Sequence, residues 1–387
     1  MEKNYLIINI GSTSKKYAFY KQNKIVYSAH FEIEKGNYLC TTSFNERKNT
    51  DILTKNQFEN AIPHVLHLLT LNDLIKERKE IFAIGIRIVA PGTYFLKNRR
   101  IDTPYIKKLK EVKTIVPLHI NPTLEEIFKL KKMFTKIIGV SDSVFHKDMP
   151  NSAKKYAIPE TVAAKFEIYK YGYHGISLSS IQTKLRLLLE KFPKKVIMCH
   201  LGGGASITAI HEGISVDTSM GFSPLEGIYG GTRVGDIDAA AVIHLGKKLK
   251  LNDEKLKSYL NLNCGLIALG KSGDMRILLE GYTKNNKEAK EAVEMFIYKI
   301  KKYIGAYTAI MNGVDLLVFS GAIGENSSII RSLVCTEMQS LGISLDGLKN
   351  TRNLPDSFIE NTSSQVKIFV AVTNEMEEIA KEINKVL

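Results

Sequence analysis

Two charged side chains stand out because the residues around them are apolar. Arg87 lies within Ile84-Gly-Ile-Arg-Ile-Val89, where an unpaired guanidinium would be costly to bury. It therefore either pairs with a structural carboxylate or binds an anionic substrate, and the sequence leaves these alternatives even. Asp142 follows the strand-like segment Ile137-Ile-Gly-Val140. A carboxylate at that place acts either as a helix N-cap or as a catalytic group, and capping is the more common role.

Two further candidates lie among glycines. His174 has a glycine close on each side, in Tyr171-Gly-Tyr-His-Gly175, which suits the close approach of a ligand, although a structural histidine is the alternative. Arg233 lies in Gly231-Thr-Arg-Val-Gly-Asp-Ile-Asp238, a glycine-bounded loop that also carries two aspartates. Three charged residues in so short a loop are hard to explain as an ordinary solvent-exposed surface segment.

Three glycine-rich loops follow predicted strands, at Gly11–Lys16, Gly202–Ser206 and Ser320–Asn326. Without Cβ atoms, backbone N–H groups can close around phosphate oxygens. No GxGxxG sequence opens a helix, which argues against a Rossmann site. Each loop alone is best explained as a tight turn, but three loops with polar neighbours favour a nucleotide ligand.

The elements around these loops follow an α/β order. A strand, a Gly/Ser turn and a second strand are predicted over 5–20 and again over 196–210, which suggests an internal duplication. Apolar residues at helical spacing predict a long amphipathic helix over 289–307, followed by a strand at 316–319. A last strand at 366–372 precedes a final helix. The sequence therefore predicts mixed sheets flanked by helices.

Composition narrows the class of protein. The 387 residues are 44% hydrophobic and 24% charged, and 54 Lys and Arg against 40 Asp and Glu give a net charge of +14. No apolar run approaches the roughly 18 residues of a membrane span, and no apolar leader is visible. The four cysteines are scattered, which predicts reduced thiols in the cytoplasm and no cysteine metal site. The lysine runs lie at helical spacing, so we expect solvated helix faces and no nucleic-acid partner.

Taken in order, these segments resemble the acetate kinase family of acyl-phosphate-forming kinases in the actin-like ATPase superfamily. The resemblance covers essentially the whole chain. It rests on these segments: Asn9-Ile-Gly-Ser-Thr-Ser-Lys-Lys16, Pro117-Leu-His119, Ser141-Asp-Ser-Val-Phe-His146, Tyr171-Gly-Tyr-His-Gly175, His200-Leu-Gly-Gly-Gly204, Ser215 to Gly227, Gly231 to Asp238, Ser272-Gly-Asp-Met-Arg276, Gly321-Ala-Ile-Gly-Glu-Asn326 and Thr373-Asn-Glu375.

The resemblance implies a duplicated, two-lobed fold of the ribonuclease H-like, actin-like ATPase type. The first lobe would comprise 1–145 plus 376–387 and carry the substrate side with the first phosphate hairpin. The second, 146–375, would bind nucleotide and form a homodimer. The implied reaction is reversible Mg²⁺-dependent phosphoryl transfer from ATP to acetate, giving acetyl phosphate and ADP, with Mn²⁺ as an alternative metal.

The resemblance also implies a role for each matching residue. The catalytic residues would be Asp142, His174 and Arg233. The short-chain carboxylate would be bound by Arg87, with an acyl pocket of Val89, Leu118, Tyr173 and Pro224. The metal would be held by Asn9 and Glu375. The nucleotide would be bound by Ser12, Ser14, Lys16, His200, Leu201, Gly202, Gly203, Gly204, Asp274, Met275, Arg276, Ala322, Ile323, Gly324, Glu325 and Asn326.

Several positions depart from the family pattern. Histidines of the pattern are replaced by Ile86, Ala90 and Leu178, and Tyr173 stands where phenylalanine is usual. Other departures are Gly203 for Asn, Ala322 for Gly and Met376 for Glu. These changes keep two alternatives open: a kinase for propionate, butyrate or another short-chain carboxylate, and a nucleotide-binding homologue without kinase activity.

Overall fold

The computed structural model describes residues 3–11, 14–34 and 36–387. The chain forms two compact units. The first comprises the chain up to Val144 together with Gly175–Ser180 and Asn374–Leu387, and the second comprises Phe145–His174 and Ile181–Thr373. Glu375 and the segment Gly175–Ser180 thus belong to the first unit, whereas the sequence placed them in the second lobe. Hydrogen bonds explain this placement, because Ser177 and Asn9 both donate to the carboxylate of Glu375.

The first unit is built on an eight-stranded mixed sheet with the order β5-β4-β3-β2-β1-β6-β8-β7. Its strands are β1 Asn4–Ile10, β2 Ser14–Lys21, β3 Lys24–Glu34, β4 Asn37–Phe44, β5 Arg47–Leu53, β6 Ile81–Ile88, β7 Arg99–Arg100 and β8 Ile137–Ser141. Only the β1–β6 and β6–β8 pairs are parallel. β1 reads as a continuous apolar run because both of its faces are buried.

The second unit is built on a six-stranded mixed sheet with the order β11-β10-β9-β12-β14-β13. Its strands are β9 Lys195–Leu201, β10 Ala205–His211, β11 Ile214–Thr218, β12 Leu316–Ser320, β13 Ser357–Phe358 and β14 Lys367–Val370. β12 runs parallel to both β9 and β14, and the other pairs are antiparallel.

Helices flank both sheets. They are α1 Lys55–Glu59, α2 Ala61–Leu71, α3 Thr103–Val112, α4 Pro117–Lys131, α5 Asn151–Lys154, α6 Glu160–Phe166, α7 Gly175–Leu188, α8 Ala239–Lys248, α9 Asp253–Leu262, α10 Leu266–Gly270, α11 Met275–Thr283, α12 Lys287–Ile310, α13 Gly321–Asn326, α14 Ser328–Cys335, α15 Gly347–Arg352 and α16 Glu375–Val386. The predicted amphipathic helix is α12, whose apolar stripe is buried in the core of the second unit. Within the described ranges, no helix is long and apolar enough to cross a membrane.

The two sheets share a five-strand pattern, which confirms the predicted duplication. In the first, β3-β2-β1-β6-β8 combines two antiparallel pairs with two parallel ones, and β11-β10-β9-β12-β14 repeats this order and these directions. Each unit therefore has a glycine-containing hairpin next to a central parallel strand. The α/β class with mixed sheets flanked by helices is confirmed.

The core of the first unit depends on α16. This helix packs on β1, β6 and β8, and its Ile379 and Ile383 are completely buried. A Cβ at Gly85 of β6 would lie 2.6 Å from Ile383 and 2.7 Å from Ile379, so only glycine lets the helix approach this closely. The helix also brings Glu375, its first residue, to the ends of these strands.

Candidate active site

Arg87 and Asp142 form a buried ion pair at the carboxyl ends of β6 and β8. The parallel register sets Arg87 beside Val140, so Asp142, just beyond β8, comes within reach of the guanidinium. Arg87 Nε lies 3.2 Å from both Asp142 carboxylate oxygens, and Nη2 lies 2.6 Å from Oδ2. The Asp142 side chain is 1% exposed and that of Arg87 is 15% exposed. Arg87 is thus paired with a carboxylate, the first of the two alternatives, and its side chain keeps 15% of its exposure to solvent.

Glu375 and Asn9 complete this group. Asn9 Nδ2 donates to Glu375 Oε2 at 2.5 Å, and the Ser177 hydroxyl donates to the other oxygen of the carboxylate. Arg87 Nη1 donates to Asn9 Oδ1 at 3.3 Å and lies 3.8 Å from Glu375 Oε2. Burial by itself would lower the pKa of Arg87, but the two carboxylates outweigh it and raise that pKa above its ordinary value. The guanidinium is therefore always charged.

The chemistry of these donors fits Mg²⁺. An amide oxygen and a carboxylate are hard ligands, and Mg²⁺ binds through one or two carboxylates plus phosphates and retained waters. In the chain outside the five residues left undescribed, no three His, Cys, Asp or Glu side chains form a metal-binding cluster. Asn9 and Glu375 thus offer an amide oxygen and a carboxylate, the kinds of ligand that suit Mg²⁺.

The first hairpin lies beside this group. Asn9 and Lys16 are direct cross-strand neighbours on β1 and β2, so their side chains share a face of the sheet. Gly11 N–H donates to the Ser14 carbonyl at 2.8 Å, which closes the turn. A cavity of about 510 Å³ is lined in part by Gly11, Ser14 and Lys15. Ser12, predicted to bind phosphate, lies outside the described residues.

In the second unit, two histidines lie side by side. His174 precedes α7 with a backbone φ of 61°, and its ring centroid is 4.6 Å from that of His200 on β9. The Nδ1 atom of His174 is 2.9 Å from the Ser206 hydroxyl, and that of His200 is 3.2 Å from the Ser320 hydroxyl. Sheet register explains the arrangement, because Ser206 and Ser320 are the partners of His200 on β10 and β12.

Arg233 lies over the second glycine hairpin. A Cβ at Gly204 would lie 2.1 Å from Arg233 Nη2 and 3.5 Å from His174 Nε2. Glycine at 204 is thus what allows this arginine to come so close to the hairpin. Arg233 Nη1 also donates to the Pro224 carbonyl at 3.4 Å. Gly203, by contrast, has nothing within 4 Å of its Cβ position, so the usual asparagine would meet open space.

The predicted nucleotide segments meet at the same hairpin. The Cβ position of Gly202 lies 3.9 Å from the Ala322 amide nitrogen of α13, and Gly231 N–H donates to the Gly203 carbonyl at 3.1 Å. The Cβ position of Gly231 is in turn 3.0 Å from the Gly273 carbonyl, next to Asp274. The structure therefore brings the 202–204, 273–276 and 321–326 segments together around the Gly231 loop.

Asp274 and Arg276 have a structural role that the sequence analysis did not anticipate. Asp274 is the N-cap of α11, because its side chain accepts from Arg276 N–H. The Arg276 guanidinium folds back onto the same carboxylate at 2.6 Å, and this hydrogen bond lowers the pKa of Asp274. Both side chains are exposed enough to meet a ligand, at 35% for Asp274 and 89% for Arg276.

Glu325 of α13 connects that helix to the strand end at Thr373. Its carboxylate accepts from Gly321 N–H at 2.9 Å and from Thr373 N–H at 3.4 Å, and burial raises the pKa of Glu325. Sequence reasoning missed Arg331, which donates to the Gly324 and Glu325 carbonyls at 2.8 and 2.9 Å. It lies in a helix whose amphipathic pattern gave no signal of this role.

The predicted acyl-pocket residues fall in both units. Val89 and Leu118 belong to the first unit, and Tyr173 and Pro224 to the second. Tyr173 is 1% exposed, and its hydroxyl donates to the Phe222 carbonyl at 2.8 Å, two residues before Pro224.

The three positions that lack the family's histidines are apolar core. Ile86, Ala90 and Leu178 are each 0% exposed, and the first two belong to the main hydrophobic cluster of the first unit. Apolar side chains packed in the protein interior thus occupy the three positions where the family has histidines.

The serines that contact Glu375, His174 and His200 were not predicted. Ser177 contacts Glu375, Ser206 contacts His174 and Ser320 contacts His200. Each of these serines lies in or next to a segment that the sequence analysis singled out. Serine is too common in sequences for that position alone to predict a role.

The family model described as "Acetokinase family" matches residues 4–381. The acetate kinase of Pseudothermotoga lettingae is 37% identical over 99% of this chain and 97% of its own length. A propionate kinase structure from Francisella tularensis superposes with a TM-score of 0.91 at 32% identity, covering 100% of both chains. An acetate kinase structure from Porphyromonas gingivalis gives 0.86 at 30% identity, covering 99% of both chains. With its duplicated sheets and ordered motifs, this chain belongs to the acetokinase family.

Proposed function

We propose that this protein is an acetate kinase that transfers the γ-phosphoryl group of ATP reversibly to acetate. A carboxylate oxygen of acetate attacks the γ-phosphorus, the bond from phosphorus to the β–γ bridging oxygen breaks, and ADP leaves with that electron pair. The observation that carries the proposal is the buried Arg87–Asp142 pair beside Asn9 and Glu375. In this group, an arginine that could bind the substrate carboxylate lies next to oxygen atoms that could bind a metal ion.

Arg87 would bind the carboxylate of the substrate. Its Nε and Nη2 are held by Asp142, whereas Nη1 makes longer contacts, at 3.3 Å to Asn9 and 3.8 Å to Glu375. A planar guanidinium fixed on one edge presents the other edge in a defined direction, which suits recognition of a carboxylate. Asp142 thereby orients the arginine, and it would be the acidic catalytic residue that the family resemblance implies.

His174 and Arg233 would stabilise the phosphoryl group in transfer. An anionic carboxylate is repelled by an anionic phosphate, so catalysis consists mainly of positioning and of neutralising charge on the equatorial oxygens. Ser206 orients the His174 ring through Nδ1, and the same ring has its Nε2 near Gly204, close to Arg233. His174 Nε2 and Arg233 Nη2 are therefore held close together above one glycine hairpin.

ATP would be bound by the two hairpins and the segments near Gly231. Ser14 and Lys16 come from the first hairpin and His200 to Gly204 from the second, while Asp274 to Arg276 and Ala322 to Asn326 would frame the adenosine. Mg²⁺, when bound, would neutralise charge on the phosphates. Asn9 and Glu375 would hold it, and Ser177 keeps the carboxylate of Glu375 oriented.

The same proposal includes a cytosolic location and a homodimer. The location is supported by four free cysteines, three of them buried. The homodimer is supported by the family resemblance. Propionate is the second candidate substrate, favoured by the likeness to the Francisella propionate kinase.

The test is formation of acyl phosphate from ATP and Mg²⁺ with acetate, propionate or butyrate, trapped with hydroxylamine. We expect the highest kcat/KM with acetate. A higher value with propionate would move the assignment to the second candidate, and bound ATP without any acyl phosphate would leave a nucleotide-binding protein without kinase activity.

The Arg233→Ala variant tests the assigned role directly. Loss of one preorganised donor at the transition state costs about 3 kcal/mol, or a turnover lower by about 10²-fold. Unchanged turnover in this variant would contradict the role given to Arg233.

A further inference from the structure

A buried histidine outside the reacting groups contacts the backbone that carries His174. His146 ends the 3-10 turn that starts at Asp142, and it is 2% exposed. Its Nε2 is 3.1 Å from the Tyr173 carbonyl oxygen, and its Nδ1 is 2.8 Å from the Ser215 hydroxyl. Both ring nitrogens are therefore used, and both contacts lie within the second unit.

These partners determine the tautomer of His146. A carbonyl oxygen can only accept a hydrogen bond, so Nε2 carries the hydrogen, and Nδ1 accepts from the Ser215 hydroxyl. Burial lowers the pKa of His146 to about 4, which keeps the ring neutral at physiological pH. The ring is thus a fixed, uncharged donor to one peptide group.

Tyr173, whose carbonyl His146 holds, lies between two residues in the left-handed region. Gly172 has a φ of 75°, and a Cβ there would lie 2.4 Å from His146 Cδ2. His174 has a φ of 61°, which is unfavourable for a residue with a side chain and persists only when the surroundings enforce it. The Tyr173 carbonyl held by His146 belongs to the peptide that leads into this strained residue.

We propose that His146 is a positioning residue for His174, holding the Tyr173 carbonyl so that the left-handed backbone presents the His174 ring to Ser206 and His200. The inference rests on the proposed phosphoryl transfer, because only there does the orientation of His174 determine a rate. The Tyr173 hydroxyl, which donates to the Phe222 carbonyl, holds the same residue from its other end.

The test compares His146→Leu, which removes the donor, with His146→Gln, whose amide keeps one. We expect kcat for acyl phosphate formation to fall about 10- to 100-fold in the Leu variant, since small misplacements of a catalytic group have effects of this size. The KM values for ATP and acetate should change less than about threefold, and His146→Gln should restore most of kcat. His244→Leu, which alters an exposed histidine of α8, is the matched control.

A double-mutant cycle separates positioning from general damage. In a His174→Asn background, His146→Leu should cause no further loss of kcat, because its effect passes through His174. An equal loss in both backgrounds, or unchanged kcat in the single variant, would overturn the proposal. If the Leu variant does not fold, Ser215→Ala provides the same test, since it frees the tautomer of His146 without changing the ring.

A spectroscopic measurement keeps this proposal separate from the proposed function. If the wild-type protein forms no acyl phosphate from any carboxylate, the proposed function fails. The NMR signals of the His174 ring then still report its position. They should shift in His146→Leu and stay near the wild-type values in His146→Gln, and unshifted signals in His146→Leu would refute the positioning role.

Discussion

Each unit contains an arginine with little or no exposure to solvent, and the partners of the two arginines differ in charge. Arg87 meets the carboxylates of Asp142 and Glu375. Arg331, which is 0% exposed, donates five hydrogen bonds to uncharged oxygens of Gly324, Glu325, Asn350 and Asn353, at 2.6 to 3.0 Å. Burial lowers the pKa of Arg331 to about 10, whereas the carboxylates raise that of Arg87.

This difference suggests that Arg87 is suited to bind a ligand, whereas Arg331 has a structural role. The Nη1 atom of Arg87 has contacts of 3.3 and 3.8 Å, which a substrate carboxylate would replace under the proposed function. Every donor direction of Arg331 is used by a carbonyl or amide that itself belongs to α13, α15 or the residue just after α15. Arg331 therefore fixes the loop that would frame the nucleotide without meeting it.

The largest expected effect is at Arg87. Arg87→Ala should lower kcat/KM for acetate by about 10³-fold, because it removes the donor to the substrate carboxylate, and truncating one partner of a hydrogen-bonded charge pair costs about 2–5 kcal/mol of binding free energy. Arg87→Lys should recover little, since an ammonium cannot form the bidentate contact. Initial rates at several acetate concentrations measure this, with Arg352→Ala, an exposed arginine of α15, as control. A decrease in kcat/KM of less than threefold would contradict a substrate-binding role for Arg87.

Arg331 should behave in the opposite way, with a large effect on stability. Arg331→Met removes the hydrogen bonds of several buried acceptors, and we expect the free energy of unfolding to fall by about 3 kcal/mol. The kcat of the folded fraction should change little, while KM for ATP rises because α13 loses its support. Urea unfolding and ATP-dependent rates measure the two effects. An unfolding midpoint equal to that of the wild type would show that the neutral oxygens contribute nothing net.

The buried His146, like Arg331, has a pKa lowered by burial, and this makes the stability of the protein depend on pH. Its pKa in the folded protein is about 4 against an ordinary 6.5, so between these values the unfolded chain binds more protons than the folded one. Stability therefore falls as the pH drops from 6.5 to 4, by about 3 kcal/mol from this group. Unfolding of the wild type and of His146→Gln at several pH values measures it, since the variant should lack this part of the decline. Parallel curves would contradict the buried neutral state.

The smallest effect is expected at Tyr173. Tyr173→Phe removes one hydrogen bond to a neutral carbonyl, worth about 1 kcal/mol. The Phe222–Pro224 segment should then move more easily, and the ratio of kcat/KM for propionate to that for acetate should rise by a few fold. Tyr298→Phe, at an exposed tyrosine of α12, is the matched control. An unchanged ratio would remove Tyr173 from the residues that set substrate size.

Local features of this fold could be predicted from the sequence, whereas the partners of its side chains could not. The strands beside the glycine loops and the helix over 289–307 follow from apolar periodicity, and they are found as β1, β2, β9, β10 and α12. The pairing of Asn9 with Glu375 joins residues 366 positions apart, and that of Ser177 with Glu375 joins residues 198 apart. A single sequence contains no record of such contacts.

The choice between alternatives also required coordinates. For Arg87, the apolar flanks showed that a partner was needed but could not identify Asp142. For Arg331 there was no signal, because its helix reads as an ordinary amphipathic segment and its acceptors are backbone and amide oxygens. The missing histidines at Ile86, Ala90 and Leu178 were visible as departures, but only the structure shows that these positions are core.

The position of α16 has a consequence for synthesis on the ribosome. The sheet of the first unit emerges early, yet the helix that covers β1, β6 and β8 is translated only after the whole second unit. Until then the strand faces that receive Ile379 and Ile383 lack their cover, and apolar strands exposed in this way are prone to aggregate. The nascent first unit should therefore be a client of ribosome-associated chaperones, and ribosome profiling with captured chaperone should find that engagement persisting until α16 has emerged.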